Sequence, residues 1–560
     1  MQPLTLSREV SQKNREDFRR IALEAVLLCI FLFAFVYYGL GNLVNYRLDN
    51  PLPLNYAAND AFVYSAYSRY ALQTEQVRTL PLFFTHGYGG LLFDLPPLRI
   101  IGEIGLSKFA GISIYDSIYV MLAFYIFFAI MLFYLLLRSY APELAMLSLP
   151  ATFILFSFPF STSFYWGIWS LVSGFMYLPA ILVLLRYHRH PFFPPLMILL
   201  LAGQIISYLR ITPFILLFII GYYAYLFWKR KLLLARDLPR LGIILVGCLL
   251  LSSYSLYLLN VSYGAFSAGT ASYYLGIMAP SSETNIHVPL ITDLGWLNLT
   301  LAVLGILLII IFEKYDYPFM VLLYFFLLPL SNYFLFNGTV FKLRLLWPLF
   351  ISGLIGFAIY YFTANIHPFL RKNATYICFG VAAILILAYA SRYAAPICEG
   401  LVHQEDMMAY QWLRDNTTTN SRILYYYGEY FVQSTYTPSE RDSYFVDTGS
   451  YLDQGQNLSR RLKISGITDS DMHSKVMRTG FLSFSRVSDF MFQNLSENIR
   501  DDICRYDYFV FGQTGRGIYL EQNSKYLQAL ISSGNPLVYS NPSIKILKNE
   551  RGENCANESI

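Results

Sequence analysis

The sequence predicts a polytopic α-helical membrane protein with about eleven spans, followed by a soluble α/β domain. Three observations lead there. Hydrophobic residues make up 56% of the chain and charged residues only 14%, far below the roughly 25% of a soluble protein. Apolar stretches long enough to cross a bilayer recur as far as residue 392. From Tyr393 onward Asn, Ser and charge rise together, and the hydrophobic runs shorten to strand length.

Taken in order, the spans fall near 22–44, 113–137, 143–159, 164–185, 193–208, 212–228, 241–259, 295–312, 318–336, 345–363 and 375–392. The first is too long for a signal-peptide core and has no small-residue cleavage site, so it reads as a retained anchor. The abundant Tyr and Phe suit the membrane interface. Lys and Arg set the orientation. They crowd the N-terminus (Arg8, Lys13, Arg15, Arg19, Arg20) and then every second loop: Arg138, Arg186 with Arg189, Lys229 to Lys231 with Arg236 and Arg240, Lys314, and Arg371 with Lys372. The alternation implies an odd number of spans, a cytoplasmic N-terminus, and an extracytoplasmic first loop and C-terminal domain. The net charge of +5 is spread over many loops rather than gathered in one patch, and so does not suggest nucleic-acid binding.

The expected domains are 1–392 in the membrane and 393–560 outside it. In the second, EDMMAYQWLRDN reads as a helix, RILYYYG and YDYFVFG as strands, and NPLVYSNPSIKILKN as a closing hairpin. Cys29, Cys248 and Cys378 lie in spans and read as packing residues. Cys398, Cys504 and Cys555 lie in the tail, where one disulfide and one leftover thiol are expected. No Cys/His pattern suggests zinc. Eight N-x-Ser/Thr triplets occur, at Asn260, Asn298, Asn337, Asn373, Asn416, Asn457, Asn494 and Asn557. Chance in an Asn-rich chain explains them as well as glycosylation does.

Candidate chemistry begins in the first loop, 45–111, which is far longer than a connector needs to be. It holds NYAANDAFVYSAYSRYAL, where Asp60 opens a run of aromatics at helical spacing. This reads as an amphipathic helix on the membrane surface with Asp60 at its positive end, although a helix cap alone would also place an Asp there. Asp94, in HGYGGLLFDLPPL, and His86 are secondary candidates, while Asp49 reads as an ordinary loop acid. A carboxylate in this position can deprotonate an attacking hydroxyl. It can also hold a divalent metal against a phosphate leaving group, so metal dependence stays open. Lys342 and Arg344 in NGTVFKLRLLWP, and Arg210 in SYLRITP, place cations at the outer ends of spans, against the trend of the other outer loops. Snorkelling to the interface accounts equally for Lys342 and Arg210. Glu283 is the only acid of the second long outer loop, GAFSAGTASYYLGIMAPSSETNIHVPL.

This arrangement resembles the GT-C superfamily of integral-membrane glycosyltransferases. The likeness rests on NDAFVYSAYSRYAL, on LFDLPPLRIIGEIGLSKFAGIS leading into the second span, and on the layout as a whole. The tail's AYQWLRDNTTTNSRILYYYG and VYSNPSIKILK resemble outer domains of archaeal members. The resemblance implies a GT-C-like, inverting transferase that uses a polyprenyl- or dolichyl-phosphate sugar donor and a glycan or protein acceptor. Asp60 would be the base, Asp94, His86 and Glu283 secondary groups, and Arg344, Lys342 and Arg210 the donor-phosphate site. An oligosaccharyltransferase is the nearest rival, but its WWDYG motif has only YYYGEYF as a counterpart here. A non-enzymatic transporter or scaffold is the reading from a different class. Transporters usually place their binding groups at mid-membrane, and the spans here carry few acids.

Overall fold

The computed structural model describes residues 3–49, 54–77, 83, 97–157, 160–229, 234–263, 290–312, 316–330, 344–365, 373–395, 400–427, 438–447, 459–465, 499–514 and 517–556. The helices are α1 Pro3–Ala34, α2 Gly41–Asp49, α3 Asn59–Thr74, α4 Pro97–Ala110, α5 Ile114–Arg138, α6 Pro142–Ser148 and α7 Trp169–Arg186. They continue with α8 Phe193–Tyr208, α9 Thr212–Trp228, α10 Leu234–Tyr263, α11 Leu290–Ile311, α12 Tyr317–Leu330, α13 Trp347–Asn365 and α14 Ala374–Arg392. Two more, α15 Gln404–Asn416 and α16 Gly517–Ser532, belong to the tail.

Among the described residues, 6 helices are long and apolar enough to cross a membrane, and five shorter apolar ones accompany them. Together they correspond one to one with the spans expected from sequence. The third span is divided: α6 passes into the tighter turns of Pro150–Phe156, where Pro150 cannot supply an α-helical N–H. The first ends in a π-turn, Phe35–Gly39.

Ion pairs tie one end of the bundle. Arg20 donates to both oxygens of Glu143 at 2.9 and 2.8 Å, and the Thr375 hydroxyl donates to the same carboxylate at 2.7 Å. Arg138 donates to Glu24 at 2.7 Å. At the opposite end the Ala395 N–H donates to the Gly39 carbonyl at 3.0 Å, and Asn42 donates to the Ala395 carbonyl at 3.4 Å. Helices α1 and α14 are thus clasped at both ends and run in the same direction.

The C-terminal sheet has strands β1 Arg422–Tyr425, β2 Asp442–Val446, β3 Arg461–Ser465, β4 Ile499–Asp502, β5 Tyr508–Gly512, β6 Leu537–Ser540 and β7 Ile544–Lys548, in the order β4-β3-β2-β1-β5-β7-β6. Strand β1 is parallel to β2 and β5, and the remaining pairs are antiparallel. The helix α15, the strands RILY and YFVFG and the terminal hairpin lie where the sequence places them. A disulfide joins Cys504 to Cys555, while Cys398 lies outside the described residues.

Candidate active site

Helix α3 starts because Ala58 is extended (φ −150°, ψ 154°) and the Ala61 N–H turns back to the Ala58 carbonyl at 3.2 Å. Asp60 lies inside the first turn, and no side chain caps the helix. The cap residue is Ala58, so capping does not explain the acid. What the position offers is the positive end of the helix dipole.

The helix is not a surface one. Ala61, Phe62, Val63, Ser65, Ala66, Tyr67, Ser68 and Ala71 are all buried, which covers more than one face. The expectation of an amphipathic helix lying on the membrane is corrected: α3 packs inside the protein against α4 and α5. Its buried serines are satisfied internally. Ser65 donates to the Phe62 carbonyl at 2.9 Å, and Ser68 donates to Glu103 Oε2 at 2.6 Å.

The segment leading into Asp60 is strapped from three directions. The Ala57 N–H donates to the Tyr165 carbonyl at 3.0 Å, the Tyr119 hydroxyl donates to Asn55 Oδ1 at 2.9 Å, and the Leu401 N–H donates to the Tyr56 carbonyl at 2.8 Å. Gly167 lies flat on the peptide between Asp60 and Ala61. It has φ +79°, and a Cβ there would sit 2.5 Å from the Asp60 carbonyl carbon and 2.7 Å from Ala61 Cα. Only glycine meets both demands. Asp60 itself remains half-buried.

Aromatic rings surround this turn. Trp169 stands 5.6 Å from Tyr56 and 6.3 Å from Tyr64, centroid to centroid, and its indole N–H donates to the Phe164 carbonyl at 3.0 Å. On α4, facing these rings, is a buried ion pair, Arg99 with Glu103. Burial pushes the Glu103 carboxyl above its ordinary range, opposed by Arg99 and by the Ser68 hydroxyl. Farther along α3, Arg69 pairs with Glu440 of the C-terminal region at 2.9 Å.

Of the other sequence candidates, Asp94, His86, Glu283 and Lys342 lie outside the described residues. Arg210 belongs to the turn Leu209–Ile211 between α8 and α9, and Arg344 opens the turn Arg344–Leu346 that leads into α13; their side chains also lie outside the described set. Asp49 ends α2 and is exposed, as a solvated loop acid would be. Among the described residues no group of three or more His, Cys, Asp or Glu side chains could hold a metal ion. Sequence reasoning missed Gly167, Trp169 and the Arg99–Glu103 pair. The pair left a trace in LPPLRIIGEIG, an Arg and a Glu four residues apart in an apolar stretch.

Neither a family model nor a curated protein matches this chain. Solved structures do. ArnT from Cupriavidus metallidurans bound to undecaprenyl phosphate superposes with a TM-score of 0.54 at 10% identity, over 95% of this chain and 98% of that one. The same protein in its apo state gives a TM-score of 0.52 at 10% identity, over 96% and 98%. The Archaeoglobus fulgidus oligosaccharyltransferase in complex with Zn and sulfate gives 0.51 at 12% identity, over 88% of this chain and 68% of that one. What this chain shares with these proteins, over most of its length, is their fold.

Proposed function

We propose that this protein transfers one sugar from a polyprenyl-phosphate donor to a hydroxyl of an outward-facing glycan or protein acceptor. Asp60 takes the proton of the attacking hydroxyl, the glycosidic carbon exchanges its phosphate oxygen for the acceptor oxygen, and the lipid phosphate departs. Arg344, with Lys342 and Arg210, neutralises that leaving group. The observation that carries the reading is the setting of Asp60. It is an acid held at the positive end of a packed helix, with its peptide fixed by Gly167, in a chain with the GT-C fold. A loop acid with no task does not need straps from three elements.

The orientation follows the charge bias: N-terminus in the cytoplasm, with the first loop and residues 393–560 outside. The Cys504–Cys555 disulfide supports an oxidising compartment for the tail. The test is Asp60→Asn in cells, with mass spectrometry of surface glycans and lipid-linked precursors. A glycan lacking one sugar, with normal expression, supports the assignment. Unchanged transfer removes Asp60 as the base. Complete loss of N-glycans on deleting the protein would point instead to an oligosaccharyltransferase.

A further inference from the structure

Arg99 has no exposed surface, although it is a cation in the first turn of α4. Its Nη1 pairs with Glu103, one turn along α4. Glu103 is itself held twice, by the Ser68 hydroxyl on its carboxylate at 2.6 Å and by the Ser117 hydroxyl on its backbone carbonyl at 2.5 Å. The other two guanidinium nitrogens, Nε and Nη2, have no hydrogen-bond partner among the described residues. Arg99 faces rings instead: its Cζ lies 5.2 Å from the centre of Tyr64 and 5.6 Å from that of Trp169. Packing alone does not call for such a pair, because well-packed apolar side chains of similar volume commonly replace buried ion pairs without loss of stability.

What the pair touches suggests its use. Tyr64 follows Asp60 by one turn of α3, and Ser68 follows by two, on the same face. Trp169 follows Gly167 by two residues, and Gly167 lies on the Asp60–Ala61 peptide. The guanidinium therefore grips both the helix that carries Asp60 and the segment that pins its first turn. We infer that Arg99 is a positioning residue for Asp60, holding the Tyr64 face of α3 against the Gly167–Trp169 segment so that the carboxylate keeps one place. The value of that placement for sugar transfer rests on Asp60 being the base. The placement itself does not.

The experiment uses the full chain in nanodiscs and reads Asp60 directly. Its carboxyl is coupled to glycine ethyl ester with a carbodiimide, and the product is quantified by peptide mass spectrometry beside a thermal melt. The key variant is Arg99→Met/Glu103→Leu, which removes both charges and keeps the volume. It should melt within a few degrees of wild type, while Asp60 labelling rises severalfold as the loosened first turn opens the half-buried carboxyl to the reagent. Arg99→Lys, which keeps the charge but loses the planar guanidinium between the two rings, should shift labelling in the same direction as the double variant. A folded double variant with wild-type labelling overturns the inference. If the double variant does not fold, Trp169→Leu, which removes one ring and keeps the ion pair, gives the same readout with the same two outcomes. Altered labelling with a wild-type glycan profile upholds the positioning role and sinks the assignment of Asp60 as base.

Discussion

Substituting Gly167 by alanine tests how tightly the first turn of α3 is held. Two costs add. The backbone at φ +79° is left-handed, where an L side chain loses roughly 1–2 kcal/mol. The new Cβ also meets backbone, which cannot rotate away: ordinary contact begins near 3.4 Å, the Asp60 carbonyl carbon would lie at 2.5 Å and the Ala61 nitrogen closer still, so the two segments must part by more than 0.9 Å. Overpacking of this kind costs about 1–3 kcal/mol, for a total of roughly 2–5 kcal/mol. A displacement near 1 Å at a catalytic group can cost on the order of 100-fold in rate. Two glycines separate the causes. Gly111 has φ +66° with nothing within 4 Å, so Gly111→Ala carries only the strain. Gly105 is helical with open space, so Gly105→Ala should stabilise by about 0.5–1 kcal/mol. Thermal melts in detergent and glycan mass spectrometry should rank the variants Gly105, Gly111, Gly167 from mildest to worst, with transfer lost only at Gly167. A Gly167→Ala protein that melts and transfers like Gly111→Ala would refute the reasoning.

Other perturbations have equally direct readings. Cys504→Ser/Cys555→Ser opens a loop of sequence separation 51, which chain entropy values at about 4 kcal/mol. Limited proteolysis should then cut the C-terminal region while the spans stay intact. Glu143→Ala leaves Arg20 and Thr375 without their shared acceptor and should cost about 1–2 kcal/mol in a melt, discounted because Arg20 is partly exposed. Arg69→Ala removes the pair with Glu440. It should cost about 1 kcal/mol and speed hydrogen exchange where the tail meets α3, and unchanged exchange would show that the pair does not hold the two together.

The spans were legible because a bilayer demands about 20 apolar residues at a stretch, whatever packs around them. Depth was not legible. Helix α3 reads as amphipathic because its aromatics recur at helical spacing, yet the serines between them are buried too, since a hydroxyl that meets Phe62 or Glu103 needs no water. Arg99 and Glu103 draw no notice for a similar reason, since sequence does not show which charge has found its partner. Gly167 in YWGIW looks like any turn. Its task depends on a backbone about a hundred residues away. In the tail, YFVFG and the hairpin carry clear strand patterns, whereas RLKIS and IRDD are short, charged and indistinct. The disulfide was open among three cysteines until the fold brought Cys504 and Cys555 together.

The clasp between α1 and α14 has a consequence measured in time. Asn42 and its partner carbonyl on Ala395 are 353 residues apart. A ribosome adding roughly 5–20 residues per second takes about 20–70 s to cover that distance. Throughout that interval the first span sits in the bilayer with its last neighbour unmade, and the bundle closes only when the final span arrives. Any truncation before Ala374 leaves the first helix permanently without that neighbour.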